Sequence, residues 1–70
     1  MQNIFVKPGA RIFEQTEGRQ VPLQRIVGQA GIMSRGRPVD ADEPNGVWEF
    51  RFQSRWWTVE RTDIEVRVRE

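Results

Sequence analysis

The 70-residue chain has no cysteine, no histidine and no tyrosine, and Lys7 is its only lysine. Without cysteine there is no disulfide, no zinc–thiolate centre and no thiol nucleophile. Without histidine the chain lacks the usual general base near neutral pH and the commonest metal ligand. Ten carboxylates remain for acid–base work, in a chain too short to wall off a deep pocket. Long apolar runs are missing as well, so nothing approaches the roughly 20 residues of a membrane span. Met1–Lys7 has neither the basic start nor the apolar stretch of a signal peptide. These absences point away from an enzyme, a cofactor, a bound metal, a membrane partner and secretion by a signal peptide.

What is present describes a small folded domain. The chain is 37% hydrophobic and 30% charged, with three Trp and four Phe, which is too apolar for a disordered tail. At this length one domain is expected over residues 1–70, and only about 60% of the unfolded chain's surface is buried on folding. Domains this small usually lean on disulfides, metals or partners for extra stability. Disulfides are excluded and a metal is unsupported, so a partner or self-association is the expected compensation.

The net charge is +1, which creates no global field selecting nucleic acid. The charges are nevertheless sorted. From Gly18 to Val39 they are all basic (Arg19, Arg25, Arg35, Arg37), and from Asp40 to Phe50 all acidic (Asp40, Asp42, Glu43, Glu49). Every base except Lys7 is arginine, the residue suited to planar, bidentate and stacked contacts. Adjacent blocks of opposite sign suit head-to-tail or protein–protein docking at least as well as nucleic acid.

Period-two alternation dominates the C-terminal third. Trp48, Phe50 and Phe52 share one face of a strand and Glu49, Arg51 and Gln53 the other. Pro44-Asn45-Gly46 is a turn signal before it, and Gln53-Ser54-Arg55 a plausible turn after it. Trp56-Trp57-Thr58-Val59 favours a second strand. Ile64, Val66 and Val68 alternate with charged residues as a third, so residues 47–69 read as a three-stranded antiparallel meander. Upstream, Ile4-Phe5-Val6 and Ala10-Arg11-Ile12-Phe13 read as short strands around a Pro8-Gly9 turn, with a polar turn at Gln15-Thr16-Glu17-Gly18. Residues around Pro22 are either extended or open a short helix from Leu23 to Val27. Gly28, Gly31, Gly36 and Pro38 make residues 28–46 mainly loop.

Three constellations invite chemistry. Asp40-Ala41-Asp42-Glu43-Pro44-Asn45-Gly46 has the acidity of a calcium loop. In EF-hand register, however, Pro44, Asn45 and Arg51 fall where a ligand, Gly and Glu are required, so an acidic turn is the better reading. Gly28-Gln29-Ala30-Gly31 has the form of the GXXG clamp of KH domains, but Pro22 and Gly36 leave too little room for its two helices. Trp48, Phe50, Phe52, Trp56 and Trp57, with Arg51 and Arg55, have the composition of a base-stacking surface. The first three are expected instead to fill the core. Trp56 and Trp57 are adjacent and point to opposite sides of a strand, so one is expected outside, beside Arg55, with the character of an interface hot spot.

Phe5-Val6-Lys7-Pro8-Gly9, Gly18-Arg19-Gln20-Val21-Pro22 and Trp57…Arg61…Asp63-Ile64…Val66 together resemble one family. It is the short proteins encoded beside the tail-sheath gene of Mu-like contractile-tailed phages. The resemblance covers residues 4–22 and 56–66, with residues 23–55 standing as an inserted hairpin. It implies a tail or particle-assembly accessory protein without enzymatic activity.

The chain is therefore expected to be mostly β, a small SH3-like barrel or twisted antiparallel meander with long loops. Its expected function is that of a noncatalytic phage structural or assembly protein, in the virion or host cytoplasm, binding copies of itself or other phage subunits as an oligomer. The expected partner-binding residues are Arg35, Arg37, Arg55, Trp56 and Trp57. Both chain ends are available to add strands to a neighbouring sheet. The competing reading is a small nucleic-acid-binding module using Arg25, Arg35, Arg37 and the exposed Trp.

Overall fold

Alternating apolar and polar residues place the strands, and a short connection decides how they close. The computed structural model describes residues 1–15 and 21–67. Seven strands are formed: β1 (Gln2–Val6), β2 (Arg11–Glu14), β3 (Gln24–Ile26), β4 (Ile32–Pro38), β5 (Val47–Phe52), β6 (Arg55–Glu60) and β7 (Ile64–Arg67). A single 3-10 turn, Arg61–Asp63, precedes β7, and the described residues include no α-helix. The strands form one antiparallel sheet in the order β3-β2-β6-β5-β4-β1-β7. The fold is thus mostly β, as expected.

In that order β1 and β2 stand four places apart, although only Lys7–Ala10 joins them. Four strand spacings in a flat sheet amount to roughly 19 Å. The five steps from Val6 to Arg11 reach at most about 17 Å when fully extended. The connection is not extended either, because it turns through Pro8-Gly9, with the Ala10 amide donating to the Lys7 carbonyl at 3.2 Å and Gly9 at a φ of +82°. The sheet must therefore curl, and it becomes a barrel-like meander with one face inside. The Cα radius of gyration, 11.6 Å, is close to the ~11 Å of a compact chain this long.

The inner face holds the core: Ile4 and Val6 from β1, Ile12 from β2, Ile32 from β4, Trp48 and Phe50 from β5, Trp57 and Val59 from β6, and Ile64 from β7. Ala10 and Val27 close one side, and Phe52 and Val66 pack against the cluster half-buried. Burial of each large side chain contributes about 1.5–3 kcal/mol. The two buried indoles also find acceptors: Trp48 Nε1 donates to the Pro44 carbonyl at 2.7 Å, and Trp57 Nε1 to that of Phe52 at 3.2 Å.

β4 turns the corner of the sheet. It pairs with β1 through Ile32–Gly36 and with β5 through Gly36–Pro38, so Gly36 belongs to both ladders. A Cβ at Gly36 would lie 2.8 Å from both the Glu49 carbonyl oxygen and Ile4 Cδ1. Only glycine lets the backbone approach the core this closely at such a bend. At the other tight point, β5 and β6 are joined by Gln53-Ser54, both at positive φ (53° and 65°), the signature of a type I′ hairpin turn.

Several expectations need correction. Residues 28–46 are mainly loop by count, but they also hold β4, an interior strand of the sheet that was not expected there. Glycine and proline at inward positions hid its alternation. The 47–69 meander is also only partly right: β5 and β6 form a hairpin, but β7 leaves it to pair with β1. Arg61–Asp63 swings the chain away from β6, and the open side of β1 offers the partner. Of the two readings of the segment around Pro22 the extended one holds, since Gln24–Ile26 forms strand β3. Residues 23–55 supply β3, β4 and β5, so they are integral to the sheet rather than an inserted hairpin. The expected turn at Thr16–Gly18 and strand position Val68 lie outside the described residues.

Gly36→Val is expected to destabilise the domain by about 1–3 kcal/mol by overpacking this corner. Gly28→Ala, where an added Cβ meets nothing within 4 Å, is expected to stay within about 0.5 kcal/mol of the parent. Urea unfolding midpoints compare the two. Ser54→Gly, which relieves a non-glycine residue at positive φ, is expected to raise stability by about 0.5–1 kcal/mol, seen as a higher melting temperature.

Candidate interaction face

Each inward core residue has an outward neighbour, and these outward residues make a second continuous surface. On β4 they are Met33, Arg35 and Arg37; on β5, Glu49 and Arg51; on β6, Trp56 and Thr58. The ladder aligns Arg37 with Glu49, Glu49 with Thr58, and Arg51 with Trp56. The ladder ends at the Gly36–Phe50 pair, and beyond it the Ser34 hydroxyl donates to the Arg51 carbonyl at 2.8 Å, which keeps the β4 segment carrying Arg35 alongside Arg51. On the far side of β4, Arg35 faces Asn3, and Asn3 in turn faces Arg67 of β7. Trp56 and Arg51 are thus paired across β6 and β5, Arg35, Asn3 and Arg67 are aligned across β4, β1 and β7, and together they make one row on the outer face.

The Trp56 end of this row is held in place. Arg37 places its guanidinium 5.8 Å from the Trp56 ring centroid while its Nε donates to Glu49 Oε1 at 3.0 Å. Gln15 Nε2 donates to the other Glu49 oxygen at 3.0 Å. At the opposite end Arg67 lies over Phe5, 4.9 Å from its centroid, touches Met33 Sδ, and reaches Glu65 at 3.5 Å. Between them Arg35 donates, among the described residues, only to the Met1 carbonyl, at 3.2 Å. Arg51 has no side-chain hydrogen bond or ion pair among the described residues. Apolar side chains extend the face, with Met33 63% exposed and, on the β2–β3 hairpin, Ile26 62% exposed opposite Arg11.

The expected docking residues divide. Arg35, Arg37 and Trp56 come together on the outer face. Trp57 does not join them: at 5% exposure it is a core residue, which leaves Trp56 as the outward member of the pair. Arg55 shares Trp57's side of β6 and pairs with Glu14, buried beneath it, at 3.3 Å. Arg25 is also elsewhere, donating to Gln53 Oε1 at 2.8 Å and lying 5.4 Å from the Phe52 centroid. Arg35 and Arg37 lie on a strand, not on an arginine-rich loop. Strand addition by the N-terminal segment is not open, because β1 has both of its edges taken by β4 and β7. The outer edges of β3 and β7 remain.

Arg51 was named from the sequence only as part of a base-stacking surface, and Arg67 was not named as a site residue at all. Arg51 was legible from alternation with Phe50 and Phe52. Arg67 was not, since only the long-range pairing of β7 with β1 brings it there. The other motifs resolve into turns. Gly28–Gly31 is a tight turn closed by the Gly31 amide on the Gly28 carbonyl at 3.0 Å, with no helix beside it. Asp40–Gly46 is two consecutive turns, closed by Glu43 on Asp40 and Gly46 on Glu43, with Asp42 N also donating to Asp40 Oδ1 at 2.9 Å. No three carboxylates converge there or anywhere else among the described residues in a way that would hold a cation. Compared with protein-family models, curated proteins and solved structures, the chain has no match.

The two adjacent tryptophans are expected to behave oppositely. Trp57→Ala removes a buried ring at a cost of about 3–5 kcal/mol, which leaves a domain this small largely unfolded by circular dichroism. Trp56→Ala is expected to cost about 1 kcal/mol or less and to keep the parent spectrum.

Proposed function

We propose that the protein is a noncatalytic subunit that docks on other protein subunits through the outer face of its sheet, as an accessory of phage tail or particle assembly. The observation that carries the docking is the side-by-side placement of Arg35, Arg37, Arg51 and Trp56 on a solvent-facing sheet surface. Tryptophan and arginine dominate the energetics of protein interfaces because each combines a large apolar or planar surface with directional donors. Here the ring is already held by Arg37 and Glu49, so little side-chain freedom is lost on binding.

The phage setting rests on the resemblance of residues 4–22 and 56–66 to proteins encoded beside the tail-sheath gene. The two segments are far apart in sequence yet pair in the sheet, Ile4 with Val66 and Phe13 with Thr58. In the sheet these two pairings are separated by β5 and β4. Virion or host cytoplasm is the location that goes with this reading.

A nucleic-acid module is favoured less. Of the arginines it needs, Arg25 lies away from Arg35 and Arg37, and Glu49 and Glu65 already offset two of the bases on the face. The test is tryptophan fluorescence and size-exclusion light scattering, at 50 and 500 mM salt, with and without single-stranded and duplex oligonucleotides. Docking between proteins predicts no response to either oligonucleotide. An 8.3 kDa species that moves onto oligonucleotide at low salt and leaves it at high salt, as counterion release requires, overturns the proposal.

A further inference from the structure

The proposed docking face has a counterpart on the same chain. The β4–β5 connection carries Asp40, Asp42 and Glu43 on an exposed loop stiffened by its two turns. None of these carboxylates forms an ion pair among the described residues; the pairs that exist are Arg37–Glu49, Arg55–Glu14 and Arg67–Glu65. On the outer face, meanwhile, Arg35 and Arg51 lie on the neighbouring strands β4 and β5, just past the end of the ladder that joins them. Among the described residues the fold therefore keeps two cations of this face without a carboxylate and three neighbouring carboxylates without a cation.

The two groups do not meet within one copy. The loop leaves β4 beyond Pro38, and the ladder from Pro38–Trp48 through Arg37–Glu49 to Gly36–Phe50 separates it from the Arg35–Arg51 pair. Arg37, the cation nearest the loop on β4, is already engaged by Glu49 and Trp56.

Resting on the docking reading above, we infer that the occupant of the face is a second copy of this chain, which lays its Asp40–Glu43 loop on the Arg35–Arg51–Trp56 row of its neighbour. Arginine suits this contact because its planar fork takes a carboxylate bidentately. Trp56 supplies apolar area next to the charges, and exposed Val39 and Val47, at the two ends of the loop, supply it from the other side. Loop and face are different patches, so the contact is heterologous. Every copy offers one of each, and repetition gives a ring if the rotation closes and a filament if it does not. The uneven charge distribution of a nearly neutral chain then has a role, since the basic and acidic blocks are the two halves of a repeating contact.

Two charge-reversal variants test this. One carries Arg35→Glu and Arg51→Glu; the other carries Asp40→Lys, Asp42→Lys and Glu43→Lys. All five positions are exposed, so both variants are expected to keep the parent circular dichroism spectrum. Light scattering at 50 mM salt is expected to show the parent above the dimer mass and each variant at 8.3 kDa. An equimolar mixture of the variants keeps one intact loop and one intact face facing complementary surfaces. The reversed loop also meets a reversed face of opposite sign, so the mixture is expected to assemble above the dimer mass with the two variants alternating, and to separate at 500 mM salt.

A parent that stays monomeric at 50 mM salt, variants that assemble like the parent, or a mixture that stays monomeric each overturn the inference. These outcomes leave the docking reading standing, because that reading falls on a salt-dependent response to oligonucleotide and not on self-association.

Discussion

The close passage of the β4 backbone over the core at Gly36 is the constraint on which the rest of the molecule depends. Gly36 sits in two ladders at once, and its missing side chain leaves room for Ile4 and for the Glu49 carbonyl. That approach lets one sheet curl until β1 and β2 can be joined by four residues. Curling gives a chain of this size an inside, since a flat sheet without helices would have nothing to bury its apolar face against. A second glycine reinforces the closure. Gly31, at a φ of +69°, lies against the Phe5 ring so tightly that any side chain there would overlap it. The entry into β4 is thereby pressed onto β1.

Curling also separates two chemistries along every strand. Trp57, Val59, Phe50 and Trp48 turn inward, while Trp56, Thr58, Glu49 and Arg51 turn outward on the same two strands. The inner set is needed for stability and leaves little freedom for function. The outer set is supported from below by a rigid hairpin and is free to present charge. Arg37, Trp56 and Glu49 hold one another there, which makes the face a fixed arrangement rather than a collection of long mobile side chains. Docking through this surface, and onto the acidic loop of another copy, needs no rearrangement of the fold.

The β5–β6 hairpin was readable in advance because its alternation is strict, its residues are β-branched or aromatic, and its turn is short. β4 was not, and the reason is local. Its inward positions are Ile32, Ser34, Gly36 and Pro38, of which only the first looks like core. The corner that β4 forms requires glycine, and in a sequence read one residue at a time glycine signals a break. The partner of β7 was equally hidden. Alternation identifies a strand but does not say which edge receives it, and the 3-10 turn at Arg61–Asp63 redirects the chain to β1, more than fifty residues away.

By itself the sequence determined the class of the protein and the chemistry open to it. Residue content excludes thiol and histidine chemistry whatever the fold, and period-two patterning commits the chain to strands because side chains on a strand must alternate in direction. The obligate opposition of Trp56 and Trp57 follows from the same geometry. Tertiary structure alone decided which of the two faces out, because that depends on which side of the sheet becomes concave. It likewise decided that Arg35, Arg37, Arg51 and Arg67 share a surface while Arg25 and Arg55 do not, since strand order is set by closure of the sheet and not by distance along the chain. The acidic loop was visible as a charge block from the start. Its separation from Arg35 and Arg51 became visible only once β4 and β5 were paired in register.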